Sequence, residues 1–279
     1  MTPSSRPIEQ RHLAPDRTSL ATYRHAAPAA RAQVLVVHGY LEHAGRYAAL
    51  ARALTGARLA CTTFDLRGHG RSDGPRAHVD AFGRYLDDVR SLLASLQSTP
   101  TVPTFLLGHS LGGLIALMVA ADGRTPLSGL LLSNPYLKNA APISAGKRWL
   151  AQLAHRAVPR LRAPAGLKPE WMVADPARSR ALAADGSIQR WATAGWFHET
   201  LGAQALAQAV RKVDCPAWFG VGARDPVADP QWNQTFAERL LAPDKKIHLV
   251  ADGLHEPLQD RDADAFTAQI IGFVERCLG

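Results

Sequence analysis

The sequence predicts an α/β fold: a mostly parallel sheet covered by helices on both faces, with an all-helical cap inserted between two strands. Three observations carry that expectation. From Gln33 to Leu132 short apolar runs alternate with amphipathic helical patterns, the rhythm of strands joined by covering helices. After Asn134-Pro135 the rhythm breaks, and it resumes only at Ala217. Between one strand and the following helix stands a serine bracketed by glycines, Gly108-His-Ser-Leu-Gly112. A chain of 279 residues, 47% hydrophobic and 20% charged, suits one large domain carrying an insertion and excludes a disordered one.

Taken in order, residues 1–17 contain Pro and Arg and are expected to form a loose arm. Gln33 to Val37 is a β-branched run that reads as a strand, followed at once by His38-Gly39. Arg46 to Leu54 has apolar residues at helical spacing. Leu59 to Phe64 is the next strand and runs into Asp65 and a turn-rich segment, Arg67-Gly-His-Gly-Arg-Ser-Asp-Gly74. Phe82 to Leu96 predicts a helix with Leu86, Val89, Leu93 and Leu96 on one face. Thr104 to Leu107 predicts a strand, Leu111 to Ala121 a helix and Leu127 to Leu132 a strand. Residues 136–206 show only helical pattern and Pro-bearing connections, so they are expected to be the cap, with 1–135 and 207–279 forming the core. The core resumes as a strand over Ala217 to Val221, a helix over Trp232 to Leu241, a strand over Ile247 to Val250 and a closing helix from Ala263 to Cys277.

Several function classes fall away. Cys61, Cys215 and Cys277 are far apart and odd in number, which indicates neither a zinc ribbon nor a disulfide framework; Cys61 and Cys215 read as buried free thiols. The first residues lack a signal-peptide core, and no stretch has the roughly 18 apolar residues a membrane span needs, so a cytoplasmic protein is expected. His198-Glu199 and His255-Glu256 each lack the second His of a zincin helix, so no metal is implied. No helix opens directly after Gly68-x-Gly70, which argues against a dinucleotide fold, and no cofactor is called for. The net charge of +8 invites a nucleic-acid reading, but the aromatic residues are scattered without basic interleaving, and no nucleic-acid partner is expected.

The glycine-bracketed serine carries the chemistry. A nucleophile on a tight strand-to-helix turn needs small residues on both sides, because strand and helix pass close together there. Such a turn lifts Ser110 clear of the sheet and aims a helix N-terminus at developing negative charge. Serine needs a base and an orienting carboxylate, which in this topology follow in the order acid, then histidine, each after a later strand. Asp225 ends the strand over Ala217 to Val221, with Asp229 as the second candidate. His255 follows the last strand, whereas His248 lies within it. The oxyanion hole would take the Leu111 N–H and one from the loop after the first strand, that of Tyr40. Together these residues are suited to acyl transfer: Ser110 attacks a carbonyl, His255 relays protons and Asp225 fixes its tautomer.

Five segments resemble a known group. His38-Gly-Tyr-Leu-Glu-His-Ala-Gly-Arg-Tyr47 is similar to an H-G-x-G-E-H-x-x-R-Y segment, and Asp65 to Gly74 to a D-x-x-G-H-G-x-S-x-G loop. Gly108 to Gly113 resembles a G-H-S-x-G-G elbow, and Gly222 to Asp229 and Gly253 to Glu256 resemble the acid and histidine loops. The chain thus resembles α/β-hydrolases of the monoacylglycerol lipase and lysophospholipase group, also called the serine aminopeptidase S33 type, from Val34 to the C-terminus and weakly through the cap. The resemblance implies the α/β-hydrolase fold and a serine esterase acting on a single-chain lipid ester, a monoacylglycerol or a lysophospholipid. A short-chain or aromatic carboxylesterase is the alternative, a peptidase a more distant one, and a ligand-binding hydrolase-like protein the non-enzyme alternative. It also implies that Glu42, His43, Arg46 and the elbow residue His109 shape the polar end of the substrate site. Glu42 and Arg46 read equally as a structural ion pair bracing their loop. Leu41 stands where that group often has Gly.

The charge is unevenly placed: residues 1–137 carry +5, residues 138–190 carry +7 and residues 191–279 carry −4. The densest excess falls on the cap, where Trp149, Leu150, Leu153, Ala157, Val158 and Leu161 recur at helical spacing among Lys147, Arg148, His155, Arg156 and Arg160. Such a helix either packs its apolar face on the core or lies in a bilayer interface, and the second reading expects weak, salt-sensitive docking to anionic lipid.

Overall fold

The computed structural model describes residues 6–97 and 102–279. Two strands open the chain, β1 (Ile8–Leu13) and β2 (Ser19–His25). Then follow β3 (Ala32–Val37), a 3-10 turn over Ala44–Tyr47, α1 (Ala48–Gly56), β4 (Leu59–Phe64), α2 (Gly83–Gln97), β5 (Thr104–His109), α3 (Leu111–Ala121) and β6 (Gly129–Ser133). The inserted segment holds α4 (Ala145–Ala157), β7 (Arg162–Pro164), α5 (Pro169–Met172), α6 (Pro176–Ala184), β8 (Trp191–Thr193) and α7 (Ala194–Gln208). The chain closes with β9 (Ala217–Gly222), α8 (Pro230–Arg239), β10 (Lys245–Val250) and α9 (Ala263–Leu278).

The main sheet has the order β1-β2-β4-β3-β5-β6-β9-β10. From β4 to β10 every neighbour is parallel, while β1 and β2 are antiparallel additions at one edge. The central strands are apolar at successive positions because both faces are covered. On β3, Leu35 and Val37 face a core shared with α2, α3 and α8, while Val34 and Val36 face one shared with α1 and α9. Helix α3 is apolar all round and buried almost throughout, as a helix wedged between the sheet and other helices must be. Neighbouring strands β3 and β5 send their connections in opposite directions, so the crevice at their carboxyl ends is the topological switch point where such sheets bind ligands.

Two expectations need correction. The segment expected as a loose arm contains β1, antiparallel to β2, and Asp16 within it pairs with Arg67; residues 1–5 lie outside the described residues. As an edge strand β1 exposes nearly all its side chains, which left no apolar period to read. The insertion is not purely helical either, since β7 and β8 pair antiparallel across it. Helix α7 runs to Gln208, past the expected boundary at Leu206, and packs Ala203 and Ala207 into the core.

Candidate active site

Ser110 sits between β5 and α3 with φ 52° and ψ −116°, a strained conformation for a side-chain-bearing residue. The turn is so tight that a Cβ on Gly108 would lie 2.2 Å from the Gly112 carbonyl oxygen, and one on Gly112 would lie 2.1 Å from that of Val37. Flanking backbone holds the strained residue: Ser110 N–H donates to Ser133 O at 3.0 Å, and Tyr136 N–H donates to Ser110 O at 2.9 Å.

Three residues from separate loops converge there. His255 Nε2 lies 2.8 Å from Ser110 Oγ, and His255 Nδ1 lies 2.7 Å from Asp225 Oδ2. All three are buried. The other Asp225 oxygen accepts the N–H groups of Val227 at 2.8 Å and Ala228 at 3.1 Å, so the carboxylate is aimed before any substrate arrives. Asp225 can only accept from the imidazole, which places the proton on Nδ1 and leaves Nε2 free to accept from the serine hydroxyl. Burial works against the imidazolium, but the charge and hydrogen bond of Asp225, with help from Glu256 and Glu42, outweigh it and raise the His255 pKa. Asp229 has a different job: its Oδ1 caps α8 by accepting Trp232 N–H at 3.0 Å, and its other oxygen pairs with Lys138 at 2.9 Å.

Around this line stand Asn134, which motif reading did not single out, and an ion network that joins residues of two motif segments. Asn134, at φ 41°, donates through Nδ2 to the carbonyls of Leu254 and His255, both at 2.8 Å, and accepts Gly222 N–H at 2.7 Å. One side chain therefore ties the end of β9 to the histidine loop. Glu256 binds Arg46 through both carboxylate oxygens, and Arg46 also reaches Glu42 at 2.6 Å. Glu42 in turn accepts Tyr47 O–H at 2.7 Å and the Gly39 N–H. Burial raises the Glu42 pKa, but Arg46 above all overcomes this and holds it well below the ordinary value. The signal in sequence was faint: an Asn after a strand end, and a carboxylate whose partner lies far off in the chain.

The loop after β3 is braced the same way. His38 accepts Leu66 N–H at 2.9 Å on Nε2 and lies 2.6 Å from Gly39 O through Nδ1, which makes it a neutral strut. Leu41 adopts φ 69°, the left-handed region that glycine enters freely, and buries its side chain there. Tyr40 stacks on Trp196 with ring centroids 3.4 Å apart and donates its O–H to Ala77 O at 2.9 Å. Leu111 opens α3, so its N–H is among the helix-start amides that lack an intrahelical acceptor. The Asp65 to Gly74 loop is held from within the fold: Asp65 accepts the N–H groups of Ala44 and Arg71, each at 2.8 Å, and the Tyr23 O–H at 3.1 Å.

Ser110 and His255 open into a cavity of about 290 Å³ whose walls are mostly apolar, supplied by Leu150, Leu161, Leu167, Met172, Trp196 and Phe197. Of the expected substrate-binding residues, Glu42 and His109 line it. His109 is buried, its Nδ1 lies 3.1 Å from Ser133 O, and burial pushes its pKa down to about 4 against the pull of Glu42, so it is neutral. Arg46 does not line the cavity, because Glu42 and Glu256 take up its guanidinium; of the two readings, the structural ion pair fits it. His43 turns to Asp185 in the insertion at 3.3 Å.

The model of the serine aminopeptidase S33 family matches residues 28–262. The chain belongs to that family. Family relatives include the monoacylglycerol lipase of Mycolicibacterium smegmatis, 29% identical over 250 residues that cover 86% of this chain and 88% of that one. The Mus musculus monoglyceride lipase is 39% identical over 133 residues, 47% of this chain, and the match spans less than half of that protein, 44%. Among solved structures, the monoacylglycerol lipase of Paleococcus ferrophilus superposes with a TM-score of 0.85 at 26% identity, over 92% of this chain and 99% of that one. This S33 chain has the α/β-hydrolase fold, as its motifs lead one to expect. No helix among the described residues is long and apolar enough to cross a membrane.

Proposed function

We propose that this S33-family chain is a serine carboxylester hydrolase that cleaves single-chain lipid esters, monoacylglycerols first among them, through an acyl-enzyme on Ser110. The observation that carries the reading is the hydrogen-bonded line Asp225–His255–Ser110 opening into an apolar cavity. His255 takes the Ser110 proton as Oγ attacks the ester carbonyl, and the N–H groups of Tyr40 and Leu111 receive the oxyanion. The imidazolium, steadied by Asp225, returns the proton to the departing alcohol. Water then enters, gives its proton to His255 and releases the fatty acid, restoring the serine hydroxyl. Glu42, Glu256 and neutral His109 give the cavity a polar end near Ser110 that suits a glycerol head, and the apolar wall suits one acyl chain.

The inserted segment, which ends with α7 at Gln208, acts as the cap that filters substrate. The exposed side chains Trp149, Leu150 and Leu153 of α4, with the cationic residues beside them, provide weak docking to anionic membrane. A hydrolysis panel of monoacylglycerols, lysophospholipids and p-nitrophenyl esters of graded length tests the substrate class. Rates that rise with chain length and favour glycerol esters are expected. Activity peaking at acetate or butyrate would leave a short-chain esterase in place of a lipase. Lysophospholipid turnover above monoacylglycerol turnover would move the head-group preference.

A further inference from the structure

Away from the serine, His155 of α4 meets His198 and Glu199 of α7, the one group of this kind among the described residues. Their nitrogen and carboxylate atoms lie within 4.8 Å of one another, and the two imidazoles stack with centroids 4.3 Å apart. All three side chains are half-buried. His155 Nδ1 is buried and has no hydrogen-bond partner, a desolvation cost that protein contacts leave uncompensated. Glu199 is already aimed: one of its oxygens accepts the Phe82 N–H at 2.9 Å, which ties α7 to the core and leaves the second oxygen available.

We propose that His155, His198 and Glu199 bind a transition-metal ion of the zinc class, and that the bound ion staples α4 to α7. Two imidazoles and a carboxylate are a borderline donor set that suits Zn²⁺ and leaves a fourth position for water. Ligands about 2.1 Å from a tetrahedral ion stand about 3.4 Å apart, so ligand atoms that now lie within 4.8 Å draw together by up to about 1.4 Å while the two stacked rings splay by side-chain rotation. No spacing motif announced the site, because His155 comes from a different helix than His198-Glu199. Its placement has a consequence for the cavity. Lys147, Leu150, Ala151 and Ala154 of α4 line one wall, and Ala194, Trp196 and Phe197 of α7 line another. Every residue of α4 is at least partly exposed, so few core contacts hold this wall, whereas Trp196 is buried and stacks on Tyr40. A metal between the two helices ties the exposed helix α4 to the anchored helix α7.

The test uses the metal-free full-length chain and zinc alone. Isothermal titration is expected to show one ion bound per chain, with His155→Ala and His198→Ala each weakening it at least about tenfold. Glu199→Gln keeps an acceptor for Phe82 N–H and is expected to weaken zinc binding without lowering Tm. His255→Ala is expected to leave the affinity unchanged. Zinc should slow tryptic cleavage at Lys147, Arg148 and Arg156 in the parent chain but not in His155→Ala. Absence of binding, parent-like affinity in either the His155→Ala or the His198→Ala variant, or affinity that follows His255 would overturn the site. Binding without tryptic protection would overturn the staple.

Discussion

Arg46 clasps Glu256 across 210 positions of sequence, Nη1 to Oε1 at 2.9 Å and Nη2 to Oε2 at 2.6 Å. Glu256 follows His255, and Arg46 also holds Glu42 of the loop that bears Tyr40, so one guanidinium joins the histidine loop to the loop after β3. Removing one partner of a buried pair strands the other charges. Arg46→Ala is therefore expected to destabilise the fold by about 3–5 kcal/mol. The pair Arg71–Glu9 is a single contact at 3.0 Å between exposed side chains, and Arg71→Ala is expected to cost under about 1 kcal/mol. Urea unfolding of both variants checks the contrast, and equal losses would refute the structural role given to Arg46.

With His255 as the proposed base, its raised pKa is expected to set the acid limit of activity. The base works only when neutral, so kcat/KM should fall as pH drops through a midpoint above the ordinary histidine value of about 6.5. Asp225 is the main group holding that midpoint up. With Asp225→Asn burial wins, and the midpoint should move down while kcat falls by about ten-thousandfold. A pH–rate profile of both proteins decides this; an upward shift in the variant would contradict the arrangement.

Asn134 is expected to act by position. In Asn134→Asp the two donors to Leu254 O and His255 O become an acceptor facing acceptors, and the histidine loop should shift. A displacement on the order of an ångström is worth about a hundredfold in kcat. KM should change far less, and fluorophosphonate labelling should slow in step with kcat. A variant that loses substrate affinity but keeps kcat would show that Asn134 serves binding instead.

Trp149 is 65% exposed and Leu153 49% exposed on α4. Trp149→Ser and Leu153→Ser are therefore expected to leave Tm within about 1 °C, since surface changes of this kind stay within about 0.5 kcal/mol. Both should reduce co-sedimentation with anionic vesicles, and added salt should weaken the parent chain's binding. Sedimentation that ignores anionic lipid content would remove the membrane contact from the account.

How much of this was legible follows from the range of each interaction. Ser110 was readable because the turn that presents it needs Gly108 and Gly112 close by in sequence, and Asp225 and His255 because each ends a recognisable strand. The pairing of Glu256 with Arg46 and the bracing role of Asn134 were not, since the partners lie 210 and 121 positions away and no local pattern encodes such contacts. The amphipathic period of α4 revealed an apolar face but not what covers it. In the structure its inner edge lines the cavity, while Trp149 and Leu153 face solvent. Leu41 was visible as a departure from a glycine, and the fold accommodates it at positive φ.

The central claim is that Ser110 is the acylated residue of a lipid esterase. Fluorophosphonate labelling with peptide mass mapping, run beside monoacylglycerol hydrolysis on the parent chain and Ser110→Ala, tests it most directly. A single adduct on Ser110, loss of hydrolysis in proportion to labelling, and a fall of about a millionfold in kcat for Ser110→Ala are expected. A folded Ser110→Ala protein that still hydrolyses monoacylglycerol at the parent rate would contradict it.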